Sequence, residues 1–165
     1  MKKKTICFTG HREIRQKDAG KIEILKEILE HFIREGYLYF AAGGARGFDM
    51  LAAETVLEFQ KTYRDIELIL VLPFDKPYMV EKGWSESEIK RYEVIKKAAT
   101  EIIYIGEEYE RGCYYKRNRM LVSLASMCIA YKYKESGGTA YTVAEAEKEN
   151  IGVLNIVEIK EESEI

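Results

Sequence analysis

Short apolar runs alternate with helical periods from end to end of the chain. This predicts an α/β fold, a three-layer, doubly wound Rossmann-like domain around a mostly parallel sheet of about six strands. Two further observations agree. Glycine or proline follows most of the candidate strands, and the stretches between strands are long enough for the helical crossovers that parallel pairing needs. With 165 residues, 47% hydrophobic and 33% charged, the composition is that of one globular unit. Residues 1–158 are expected to form that single domain, and 159–165 a short acidic tail.

The elements follow in order. Lys4–Thr9 reads as a buried strand closed by Gly10. Ile22, Leu25, Ile28, Leu29, Phe32 and Ile33 recur at steps of three and four, one face of a helix, and Gly36 stands at its stop. Tyr37–Ala42 is the second strand, ending in Gly43-Gly44, and a helix from about Phe48 to Tyr63 turns Leu51, Ala52, Val56 and Phe59 inward. Ile66–Leu72 is the most continuous apolar run, a central strand stopped by Pro73. Ser85 caps the next helix, with Glu88 placed to complete a capping box, and this helix runs to about Ala99. Glu101–Ile105 is a fourth strand, Gly106–Cys113 a polar loop and Tyr114–Leu124 a helix. Ser126–Tyr131 is a fifth strand, a helix from Ser136-Gly137-Gly138-Thr139 continues through Glu149, and Gly152–Val157 is a sixth strand. Tyr37, Tyr39, Tyr131 and Tyr133 alternate along strands two and five, as residues on one packed face do.

Composition and motif absences exclude several classes. No apolar run approaches the ~20 residues that cross a bilayer, and no signal-peptide core follows Met1-Lys2-Lys3-Lys4, so a cytoplasmic location without membrane contact is expected. Cys7, Cys113 and Cys128 lack CxxC spacing and the histidines are His11 and His31 alone, so no metal site is expected. Cys7 and Cys128 read as strand core and Cys113 as a loop residue. The formal net charge of −2 gives no global field attracting nucleic acid. Neither GxxxxGK[ST] nor a GxGxxG after the first strand is present, so neither a P-loop NTPase nor the usual dinucleotide fingerprint is indicated.

The chemistry concentrates after three strands. Thr9-Gly10-His11-Arg12 follows the first, Gly43-Gly44-Ala45-Arg46-Gly47-Phe48-Asp49 the second, and Ser136-Gly137-Gly138-Thr139 the fifth. Glycines there admit a ligand close to backbone N–H groups, helix starts carry partial positive charge, and arginines fork onto phosphate or carboxylate oxygens. In a parallel sheet all three segments emerge on one edge, where ligands bind in folds of this class. Arg46 is expected to point into the pocket mouth.

These segments resemble those of the SLOG superfamily, which joins DprA-type DNA-processing proteins with LOG phosphoribohydrolases. Gly43–Asp49 with Ala52-Ala53-Glu54 resembles the glycine-arginine-glycine-aspartate segment of DprA-type proteins. Arg117-Asn118-Arg119-Met120-Leu121 resembles their arginine-asparagine-arginine motif, and Ser136–Ala144 their second glycine segment. Length, the Thr9-Gly10 pair, Trp84 and Tyr92-Glu93 are most similar to the small YpsA-like proteins of that group.

The resemblance implies a pocket for a nucleotide or nucleotide-derived ligand, lined by Thr9, Gly10, His11, Arg12, Gly43, Gly44, Arg46, Gly47, Asn118, Arg119, Gly137, Gly138 and Thr139. It implies a sensor or regulatory binding protein that requires no cofactor. One alternative is a nucleotide N-glycosidase of the LOG kind. The LOG pattern places a glutamate shortly after its glycine-threonine pair, whereas here the first carboxylate after Thr139 is Glu145, about two helical turns along. Glu54 and Asp49 are then the candidate catalytic carboxylates, each also readable as an ordinary helix residue. A second alternative is single-stranded DNA binding through the interleaved run Tyr109, Arg111, Tyr114, Tyr115, Lys116, Arg117 and Arg119, which the net charge disfavours. A homodimer stays open.

Overall fold

A computed structural model describes residues 4–160 of the chain. Six strands, β1 (Thr5–Gly10), β2 (Tyr39–Ala42), β3 (Glu67–Leu72), β4 (Glu101–Tyr104), β5 (Met127–Tyr131) and β6 (Gly152–Asn155), form one sheet in the order β4-β3-β2-β1-β5-β6. Every neighbouring pair is parallel. Five helices make the crossovers: α1 (Ala19–Arg34), α2 (Phe48–Gln60), α3 (Glu86–Ala98), α4 (Cys113–Leu124) and α5 (Gly138–Lys148).

Alternation along the strands sorts the core onto two faces. Ile6, Phe8, Phe40, Leu68, Leu70, Ile129 and Tyr131 pack with Leu25 and Leu29 of α1, Phe48, Ala52 and Val56 of α2, and Tyr92 and Ile95 of α3. Cys7, Ala41, Ile69, Val71 and Cys128 pack on the opposite face against Leu121 and Val122 of α4 and Ala146 of α5. The four inner strands are buried on both faces, which is why they read as continuous apolar runs, whereas the edge strands β4 and β6 are partly exposed. The chain winds outward from β1 to β4 and then crosses back to place β5 beside β1. That reversal opens a crevice between the carboxyl ends of β1 and β5.

Local chemistry sets the element ends. At α3, Ser85 accepts the Glu88 N–H at 3.1 Å while the Glu88 carboxylate accepts the Ser85 N–H at 2.9 Å, a complete capping box. The second strand starts later than its sequence suggests, because the Tyr37 N–H still closes α1 by donating to Phe32 O at 3.0 Å. The sixth ends earlier, because Asn155 Oδ1 accepts the N–H groups of Lys132 and Val157 and bends the chain into a 3-10 turn over Ile156–Glu158. Cys113 is a helix residue and not a loop residue: Gly112 takes φ +81° ahead of it and turns it inward, leaving it 4% exposed. Of the four alternating tyrosines, only Tyr39 and Tyr131 lie in strands. Of the expected acidic tail, residues 161–165 lie outside the described residues.

Candidate functional site

The crevice between β1 and β5 is a cleft of about 620 Å³, within the usual size of a small-molecule pocket. Thr9, Gly10, His11, Arg12 and Glu13 enter it from β1, Ala45 and Asp49 from the segment after β2, and Tyr114, Tyr115, Arg117 and Asn118 from α4. Tyr133, Lys134, Ser136, Gly137, Gly138 and Thr139 close it from the β5 side.

Its most distinctive wall is the head of α5. Gly137 precedes the helix with φ +94°, and no side chain caps it. The Tyr141 N–H is the first to find an intrahelical partner, Gly137 O at 3.0 Å, so the amides of Gly138, Thr139 and Ala140 are the helix's orphan donors. With the helix dipole they favour an anion. Arg12 and Lys134 add positive charge nearby, and Tyr114, Tyr115 and Tyr133 give the cleft aromatic walls. His11 joins the two rims: its Nε2 accepts the Lys134 N–H at 3.2 Å and its ring meets Tyr133 edge-on at 4.3 Å.

Beneath the cleft lies a buried polar centre. Arg117, 7% exposed, donates through Nη1 to Gly43 O and through Nε to Asn118 Oδ1 at 2.7 Å. Asp49 is 6% exposed, and its Oδ1 has no hydrogen-bond partner among the described residues. Burial pushes its pKa up to about 6, against the opposing pull of the Arg117 guanidinium and the amides of Ala45 and Gly43. Gly43 runs between these groups. A Cβ there would lie 2.9 Å from Asp49 Oδ2 and 3.0 Å from Arg117 Cδ, so only glycine lets the carboxylate and guanidinium close around the strand end.

The expected site residues therefore divide. Thr9, Gly10, His11, Arg12, Asp49, Asn118, Gly137, Gly138 and Thr139 line one cleft. Gly43, Gly44, Arg46, Gly47 and Arg119 do not. Gly44 backs onto Leu72 and Tyr92, and Gly47 is pressed against the backbone of Arg12. Arg46 is turned away from the cleft, with Nη1 donating to Gly83 O at 2.8 Å and its guanidinium 5.8 Å from the Trp84 ring. Arg119 lies on the outer surface, donating to Tyr141 Oη at 3.0 Å. Glu54 lines a separate groove between α2 and α3, where Arg91 grips its carboxylate at 2.6 and 3.0 Å.

Lys134 and Glu13 are cleft residues that the motif reading does not single out, while Ser136, named with its glycine segment, and Tyr133 also line it. Their signal was positional, since each adjoins a glycine segment at a strand's carboxyl end. No cluster of three or more His, Cys, Asp or Glu side chains suited to a metal occurs among the described residues, and no described helix is long and apolar enough to cross a membrane.

Comparison with known proteins agrees with this architecture. The profile of the YpsA family, described as the YspA SLOG family, matches residues 6–159. A UPF0398 protein of Bacillus thuringiensis (strain Al Hakam) is 28% identical over 162 residues, covering 92% of this chain and 86% of its relative. The UPF0398 protein YpsA of Bacillus subtilis (strain 168) is 27% identical, covering 88% and 85%.

Among solved structures, DNA processing protein A of Helicobacter pylori, described for its single-stranded DNA binding mode, superposes with a TM-score of 0.63 at 18% identity over 90% of this chain. DprA of Streptococcus pneumoniae gives 0.64 at 19% identity, again over 90%. At that identity the likeness is one of fold. The chain spans 63% of the first structure's length and 48% of the second's.

Proposed function

Because the chain belongs to the YpsA SLOG family, we propose that it binds a nucleotide or nucleotide-derived small ligand in the cleft between β1 and β5, as a sensor or regulatory binding protein. The observation that carries this reading is the uncapped head of α5, whose free amides face a cleft that also holds Arg12, Lys134 and Asn118. Amides and cations suit a phosphate. The rings of Tyr114, Tyr115 and Tyr133 offer flat, partly apolar surface for a base or ribose. A small phosphorylated ligand with an aromatic part fits this division of the walls.

The carboxylates favour binding over hydrolysis. Glu54 is engaged by Arg91 in a different groove, and Asp49, only 6% exposed on the cleft floor, is held against Arg117 and the amides of Gly43 and Ala45. N-glycoside cleavage needs a carboxylate beside the anomeric carbon and a second group to activate water. Neither candidate combines exposure to the cleft with freedom from a structural partner.

A second reading is single-stranded DNA. It is favoured by Tyr109 and Tyr115, about half exposed at 50% and 48%, with Arg111 and Lys116 close to them in sequence and exposed, a mix of rings and cations that suits stacked bases and phosphates. The DNA processing protein A of similar fold is described by its single-stranded DNA binding.

A thermal-shift titration against AMP, ADP, ADP-ribose, NAD and an oligothymidylate, with inorganic phosphate as control, separates the readings. A ligand at 100 times its dissociation constant adds about 2.7 kcal/mol, roughly 5–10 °C for a domain of this size. A shift with a mononucleotide or dinucleotide supports the first reading. A salt-sensitive shift with the oligonucleotide alone supports the second. A flat panel overturns both.

A further inference from the structure

Arg117 and Asn118 are consecutive residues of α4, 7% and 9% exposed, yet their polar atoms are arranged asymmetrically. The Asn118 carboxamide accepts at Oδ1 from Arg117 Nε at 2.7 Å. Its Nδ2 has no acceptor among the described residues and lies 3.8 Å from where a Cβ on Gly138 would stand, at the head of α5. A carboxamide turned by 180° would set its NH₂ against the guanidinium, donor facing donor, because arginine has no acceptor to offer. The guanidinium therefore fixes which end of Asn118 faces the cleft.

Arg117 is fixed in turn. Its Nη1 donates to Gly43 O, and the missing side chain of Gly43 is what lets the guanidinium reach that carbonyl. Asp49 offsets its charge from across the same strand end. A line of contacts thus runs from the end of β2, through Arg117 and Asn118, to the first turn of α5.

We propose that Arg117 is a positioning residue. It orients Asn118 so that the Asn118 NH₂, together with the Gly138 and Thr139 amides, donates to an anionic oxygen of the ligand. This inference rests on the ligand-binding reading of the cleft. It adds a claim that reading does not make, that a buried arginine acts on the ligand only through its neighbour. Phosphate recognition at this point uses a neutral, directed donor, while the adjacent guanidinium, 7% exposed at the cleft floor, is engaged by Gly43 O and Asn118 Oδ1. A neutral donor held in one orientation recognises position as well as charge.

The test uses the full ¹⁵N-labelled chain titrated with AMP and, separately, with inorganic phosphate. The Asn118 side-chain NH₂ signals should move together with the Gly138 and Thr139 amides. N118D keeps an oxygen for Arg117 Nε and replaces the free donor with an acceptor. It should melt within a few degrees of the wild type yet bind AMP at least tenfold more weakly. R117K offers one compact ammonium in place of a rigid fork. It should weaken AMP binding several-fold in the wild-type background and not further in N118A, as expected when two residues act as one unit.

Additive losses for R117K and N118A overturn the positioning role, and so does AMP binding by N118D at wild-type strength. If R117K does not fold, the N118D comparison decides alone. Shifts at Gly138 and Thr139 that leave the Asn118 NH₂ unmoved overturn this inference while upholding the cleft. No shift anywhere at saturating AMP and phosphate overturns the cleft reading and this inference with it.

Discussion

Arg46 and Gly83 are joined across 37 residues of sequence: the Arg46 guanidinium donates to the Gly83 carbonyl at 2.8 Å and lies 5.8 Å from the neighbouring Trp84 ring. The arginine of the glycine-rich segment thus fastens the loop between β3 and α3 to the loop after β2 and does not line the cleft between β1 and β5. R46A should therefore bind AMP within about twofold of the wild type while losing about 1 kcal/mol of stability, the usual worth of one such hydrogen bond with a partly exposed ring contact. Thermal melts with and without AMP check this; a tenfold loss of affinity at unchanged melting temperature would place Arg46 at the ligand.

Two glycines with nearly the same φ but different ψ, −122° at Gly47 and 3° at Gly112, should differ sharply when replaced by alanine. Gly47 has φ +79°, and a Cβ there would stand 2.1 Å from Arg12 O, whereas Gly112 has φ +81° with nothing within 4 Å. G112A carries only the left-handed strain of a non-glycine residue, about 1 kcal/mol. G47A forces a non-glycine residue into a backbone conformation open essentially to glycine alone and adds a collision that pushes the β1 and β2 loops apart, for a total of about 3 kcal/mol or more. Urea unfolding of both variants measures the difference, and equal losses would show that the two loops are not in contact.

His11 gives the fold a slope with pH. Burial, then Lys134, Arg15 and Lys132 in turn, hold its pKa below the ordinary value, while the rings of Tyr131 and Tyr133 flank it. In the unfolded chain the imidazole takes its proton near pH ~6.5. Between that pH and the lower folded value the unfolded state binds more protons, so this stability is complete above about pH 6.5 and is lost as pH falls below it. H11Q keeps an acceptor for the Lys134 N–H but does not titrate. Its melting temperature should approach or overtake the wild type's on going from pH 7.5 to 5.5, and a gap that stays constant contradicts the assignment.

The Glu54–Arg91 pair lies in its own groove, with both side chains partly exposed at 37% and 40%. E54Q should leave AMP binding and any nucleobase release unchanged, and cost about 0–1 kcal/mol, as exposed ion pairs do. Loss of AMP binding or of a measurable release activity in E54Q would bring that groove into the function.

The residue pattern carried the fold because each layer left a periodic trace. The three- and four-residue steps from Ile22 to Ile33 mark α1, the Ser85–Glu88 box marks the start of α3, and Pro73 marks the end of β3. The winding order places the cleft, and glycine segments beside β1 and β5 mark its rims. What a linear pattern does not carry is side-chain direction. Arg46, Arg117 and Arg119 all adjoin glycine or asparagine motifs, yet one grips a loop carbonyl, one is buried beneath the cleft and one meets Tyr141 outside it. Their destinations depend on Gly83, Gly43 and Tyr141, each more than 20 residues away in sequence. Cys113 was misplaced for a related reason, since the turn at Gly112 gives the helix an earlier start than its polar neighbours suggest.

A crystal structure of the protein grown with AMP decides whether the cleft between β1 and β5 holds a phosphorylated ligand at the head of α5. Phosphate density is expected within hydrogen-bond distance of the Gly138 and Thr139 amides and of Asn118 Nδ2, with the base against the tyrosine walls. Density for AMP in the groove between α2 and α3, or an empty cleft at saturating AMP, would contradict that placement.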